Sequence, residues 1–135
     1  MKLITNLPKL DRIFGSIALK NGICAEVGDL ILFSGFAGMD LDSGRLLQDE
    51  PIEDHAHASL DCYDYVLSSL GLGLDHVIKV NCFLQDPGDF QRWNEVFKAR
   101  FTAPYPLRTT VGAPLVVGKI ELEIVATRTP RAEAV

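Results

Sequence analysis

One hundred and thirty-five residues fit one domain of ordinary size and leave no room for two, and 47% hydrophobic against 23% charged argues against disorder and fibrous repeats alike. Thirteen Lys and Arg against 18 Asp and Glu give a net charge of −5 with no basic block, so nucleic acid and anionic membrane are not expected partners. Cys24, Cys62 and Cys82 form neither a CxxC pair nor an even framework, and the charges of Lys2, Lys9, Asp11 and Arg12 interrupt every N-terminal apolar run; no disulfides, no signal segment and a cytoplasmic location are expected.

In chain order, residues 1–22 read as an irregular N-terminal segment of a single domain spanning 1–135. Two strands follow, 23–27 and 30–38, across the Gly28-Asp29 break. Leu30, Ile31, Leu32 and Phe33 run without a polar interruption, so both faces of that strand must avoid water. The 40–44 stretch has turn chemistry. Pro51 opens an amphipathic helix whose stripe is Ile52, Ala56, Ser59, Leu60, Tyr63, Val66, Leu67 and Leu70, stopping at Gly71.

Residues 77–84 alternate as a strand. Asp86-Pro87 opens a second helix with Phe90, Asn94, Phe97 and Phe101 on its stripe and Trp93 beside them. Strands over 108–113 and 120–127 precede a tail, 129–135, that reads as loose. The order β-β-α-β-α-β-β predicts an α+β fold, a mixed sheet with two helices packed on one face. Two helices cover one face only, so a partner subunit is expected on the other, with clefts between subunits.

Arg108 and Thr110 share one face of their strand, and Glu121 and Glu123 share one face of theirs. On a surface buried by assembly, such charges need an explanation. One is an intersubunit ion pair between Arg108 and Glu121. The other is that Arg108 is kept free to grip a ligand carboxylate by two parallel hydrogen bonds, with Glu121 holding a water. The residues alone leave both open. Asn94 reads as a structural amide tying down a loop. His55 and His57 project in nearly opposite directions and His76 stands alone, so no metal is expected; without a nucleotide-binding glycine pattern, no cofactor is expected either.

The segments 28–35, Ser43-Gly44, 77–80 with Phe83-Leu84, Asp89-Phe90, 94–97, 106–109 and 120–123 together resemble the Rid family, also called the YjgF/YER057c/UK114 family, over roughly residues 24–127 in unbroken order. The resemblance implies a chorismate-mutase-like fold and a homotrimer with clefts between subunits. It also implies hydrolysis of reactive enamines and imines to keto acids and ammonia, without cofactor. By position it makes Arg108 the binder of the substrate carboxylate, Thr110 a backbone N–H donor beside it, Glu121 the acid that orients water, and Gly35 a backbone wall of the cleft.

Four positions depart from the deaminase pattern. Asn21 stands where a substrate-contacting tyrosine is expected, Phe36 where glutamine is, Leu107 where a small residue is, and Thr110 where cysteine is. They suggest a larger, more apolar ligand or a cleft that binds without turnover. The alternatives are therefore a non-catalytic trimer binding a carboxylate or keto acid and a pathway-specific deaminase of the aminomuconate type. RNA cleavage, proposed for relatives, is disfavoured by the acidic balance.

Overall fold

A computed structural model describes residues 1–17 and 19–132. Its secondary structure is α+β, with a mixed seven-stranded sheet, a separate two-stranded hairpin and three α-helices among the described residues. The strands are β1 (Lys2–Ile4), β2 (Cys24–Val27), β3 (Leu30–Phe33), β4 (Phe36–Ala37), β5 (Met39–Asp40), β6 (Arg45–Leu46), β7 (Val77–Leu84), β8 (Leu107–Gly112) and β9 (Ile120–Thr127). The helices are α1 (Pro8–Ser16), α2 (Ile52–Ser69) and α3 (Phe90–Arg100). The sheet runs β1-β2-β3-β9-β7-β8 with β4 also paired to β9; only β7 and β8 are parallel, joined by the α3 crossover.

The N-terminal segment is not irregular, and the helices number three rather than two. Pro8 fills the first helical position, where its missing N–H costs nothing, and Leu10, Ile13 and Phe14 place a fully apolar stripe in the core. One strand expectation also changes. The 30–38 run is broken at Ser34-Gly35, so that β3 pairs with the end of β9 and β4 with its start. The Tyr63 hydroxyl holds this break: it lies between the carbonyls of Ser34 (2.8 Å) and Leu122 (2.6 Å) and accepts the Phe36 N–H at 3.1 Å.

The sheet has two unlike faces. Ile31, Phe33, Val80, Cys82, Leu84, Ile120, Leu122, Ile124 and Ala126 point into the core shared with the helices. The other face carries Leu30 and Leu32, 43% and 44% exposed, with Val27 and Leu3 beside them, so the consecutive apolar run does put large side chains on both sides. Cys24, Cys62 and Cys82 are all buried and unpaired.

The tail is anchored rather than loose through Arg131. Its guanidinium donates to the carbonyls of Leu74 (2.8 Å), Val77 (2.7 Å), Pro104 (2.6 Å) and Thr102 (3.1 Å), and its own N–H to Asp75. Residues 133–135 lie outside the described residues. Charge-assisted bonds of this kind contribute more than neutral ones, so Arg131→Ala is expected to cost about 2–3 kcal/mol of stability. Denaturant unfolding checks it, and an unshifted midpoint would show the anchor to be idle.

Candidate functional site

The chain bends at Ala103-Pro104 before β8, and the register with β7 decides where the side chains of β8 go. Arg108 lies opposite Val80 and Thr110 opposite Cys82, both core-facing, so Arg108 and Thr110 lie beneath α3. The Arg108 guanidinium sits 4.1 Å from the Phe97 ring centroid and 5.4 Å from that of Phe90. Its Nη2 donates to Asn94 Oδ1 at 2.8 Å. Its Nη1 is buried and has no hydrogen-bond partner, and among the described residues Arg108 forms no ion pair with a carboxylate. Burial lowers its pKa, although an arginine stays charged at any ordinary pH.

An open cleft of about 420 Å³ borders this group, lined by Asn94, Phe97, Lys98, Tyr105, Pro106 and Arg108. An aromatic wall raises the cost of an unpaired donor, and an anion arriving there meets a guanidinium already oriented. Asn94 does not tie down a loop; it holds Arg108. An amide on an apolar helical stripe was signal enough that it needed a partner, but nothing in the sequence named which. The Thr110 hydroxyl lies beside the buried Cys82 thiol, which burial pushes up to about 12.

Glu121 is elsewhere. It lies opposite Phe83 on β7 and Ala37 on β4, on the helix-free face, with Glu123 two residues on along the same face. Burial first, and then repulsion from Glu123, raise its pKa above the usual carboxylate value. Asn81 Nδ2 donates to Glu123 at 3.3 Å. A Cβ on Gly35 would stand 3.3 Å from the Glu121 carboxyl carbon, so the bare Gly35 backbone is what allows this close approach. β8 and β9 are not adjoining, since β7 separates them, and Arg108 and Glu121 point to opposite faces. One chain does not bring the two together, either as an ion pair or as one site.

Two other expected contacts move as well. Phe36 is 1% exposed and stacked on Tyr63 with centroids 4.6 Å apart, so its side chain belongs to the core and leaves the cleft unchanged. Asn21 is exposed and borders a separate cleft with Asn6, Asp11 and Phe14; its neighbour Gly22 accepts a 2.5 Å bond from Ser34, which places it on the Gly35 side of the molecule. Leu107 is 71% exposed on the helix-free side of β8. Lys98 and Tyr105, which sequence reasoning did not single out, line the Arg108 cleft.

His55 is fully buried, its Nε2 3.1 Å from the Gln48 carbonyl and its Nδ1 accepting the Lys119 N–H at 3.4 Å. Burial lowers its pKa, as suits a neutral ring wedged between two loops. Among the described residues no three His, Cys, Asp or Glu are grouped to hold a metal, and no helix is long and apolar enough to cross a membrane.

The chain is similar to known proteins in sequence and in fold. A 2-iminobutanoate/2-iminopropanoate deaminase of Dermatophagoides farinae is 31% identical over 99 residues, 73% of this chain and 77% of the relative. A crystal structure from Thermotoga maritima superposes with a TM-score of 0.82 at 27% identity, covering 96% of this chain and 99% of its own. The structure of E. coli TdcF with bound serine superposes with a TM-score of 0.73 at 27% identity, covering 81% and 88%. A family model described as endoribonuclease L-PSP matches residues 18–129. The chain therefore belongs to the endoribonuclease L-PSP family, the Rid family that its motifs resemble.

Proposed function

We propose that the protein hydrolyses enamines and imines carrying a carboxylate, releasing a keto acid and ammonia, as a homotrimer with clefts between subunits. The observation that carries this reading is the Arg108 guanidinium: buried against aromatics, oriented by Asn94 and, among the described residues, free of any carboxylate and with Nη1 unpartnered beside a cleft. The name of the Dermatophagoides farinae relative and the serine bound to TdcF, itself a carboxylate, support it.

Arg108 stands on an edge strand and Glu121 on an uncovered, partly apolar face. The two can meet one ligand when the β8 edge of one chain lies over the helix-free face of another. Burying Leu30 and Leu32 would favour that arrangement. The site then works by positioning. Arg108 clamps the carboxylate, which fixes the adjacent C=N carbon beside a water held by Glu121. Glu121 takes a proton as the water oxygen bonds to carbon, giving a carbinolamine. That proton passes to nitrogen to make the amine; the hydroxyl then gives up its own proton, which Glu121 hands to the amine as the C–N bond breaks, so ammonia leaves as the carbonyl forms. An enamine first takes a proton at carbon and gives one up from nitrogen to become the imine. Acid–base help of about 10²–10⁴ suffices for a reaction that water already performs slowly.

The test is ammonia release from 2-iminobutanoate generated in place by an amino-acid oxidase. The wild-type protein is expected to outpace spontaneous decay and to sediment as three copies. A rate equal to buffer would remove the catalytic reading, and carboxylate binding without turnover would make it a binding protein.

The pH profile carries a further prediction. Glu121 acts as base only when ionised, so activity falls as pH drops through its raised pKa. Glu123→Gln removes the second cause of that rise, so the acid limb of kcat/KM should move to lower pH. An unmoved limb would mean that another group controls it.

A further inference from the structure

We propose that the Arg108 cleft selects imines and enamines of dicarboxylic keto acids, with Lys98 the residue that recognises the second carboxylate. This substrate class rests on the deaminase reading above. Among the described residues two cations line the cleft, Arg108 and Lys98, and no carboxylate does. Asn94 and Lys98 are one helical turn apart on α3, so the lysine issues from the same side of the helix as the amide that holds Arg108. Between them Phe97 and Tyr105 form an aromatic wall, with ring centroids 5.9 Å apart.

A monocarboxylate would satisfy Arg108 alone. Among the described residues Lys98 would keep only Glu95, three residues earlier on the same helix, at 3.0 Å with the two side chains 52% and 69% exposed. Such surface pairs are weak and exchange easily with water. A second carboxylate at the far end of the ligand competes well for that ammonium, because it is delivered already tethered by Arg108. The Tyr105 hydroxyl, without a protein partner among the described residues, can donate to the same group. The volume of about 420 Å³ also falls within the range of about 300–1,000 Å³ of pockets that enclose whole small-molecule ligands, more room than a short monocarboxylic imine needs.

The experiment compares the assembled wild-type protein with Lys98→Met, Lys98→Glu and Glu95→Gln. Calorimetry measures 2-oxoglutarate against 2-oxobutyrate, and ammonia release measures the corresponding imines made in place from glutamate and 2-aminobutyrate. The wild type should favour the dicarboxylic member by roughly tenfold in both readouts, the size of one charge-assisted contact. Lys98→Met should abolish the preference, Lys98→Glu should reverse it, and Glu95→Gln should increase it. Equal affinities in the wild type, or a preference untouched by Lys98→Met, would overturn the proposal. A Lys98-dependent binding preference with no ammonia from either imine would instead overturn the deaminase reading and leave the selection by Lys98 standing.

Discussion

Arg108→Ala is expected to lower ammonia release by roughly 10²–10³-fold, with the circular dichroism spectrum unchanged. Two charge-assisted hydrogen bonds to one carboxylate are lost, and with them the positioning of the reacting carbon. The fold should tolerate the change. Nη1 has no partner among the described residues, so removing the cation removes an unmet desolvation cost along with the contact to Asn94.

Arg108→Lys separates charge from shape. A lysine keeps the positive charge but lacks the planar fork, so it cannot donate to Asn94 and present two parallel donors to a ligand. Its KM should rise sharply while kcat falls less. An alanine variant with the wild-type rate would place the chemistry elsewhere, and full activity in the lysine variant would mean that charge alone is read.

Tyr63→Phe should cost about 2–4 kcal/mol of stability, a large share of what a domain of this size has. The hydroxyl is fully buried and meets three backbone groups, the carbonyls of Ser34 and Leu122 and the Phe36 N–H. Phenylalanine keeps the stacking on Phe36 but strands those groups away from water. The break between β3 and β4 loses its tie, and with it the Gly35 backbone loses its placement beside Glu121. Guanidinium unfolding measures the loss, and amide exchange should locate it at residues 34–36. A midpoint within error of wild type would mean that water replaces the hydroxyl.

Much of this was readable from residue order. The unbroken Leu30–Phe33 run required two buried faces, and the structure does put Leu30 and Leu32 on an uncovered side. Alternation placed Arg108 with Thr110 and Glu121 with Glu123 correctly. What alternation cannot give is the facing of one strand relative to another, which is set by which strands are neighbours and in what register. β7 lies between β8 and β9, so the two charges came out on opposite faces. Phe36 failed for a similar reason: two residues of β4 are too few to show a period, and its place in the core is fixed by Tyr63 from another element. The first helix was legible in Pro8, Asp11 and the Leu10, Ile13, Phe14 spacing, but its interleaved charges hid the stripe.

The three cysteines make the molecule a timekeeper of its own opening. Cys24 lies in β2, Cys62 in α2 and Cys82 in β7 behind the guanidinium, each shielded, with thiols held up at about 11, 12 and 12. A neutral-pH alkylating reagent therefore marks each only when its own neighbourhood comes apart. Mass spectrometry of the order in which the three are tagged would give the sequence in which the N-terminal strands, helix and cleft floor let go, without any engineered probe.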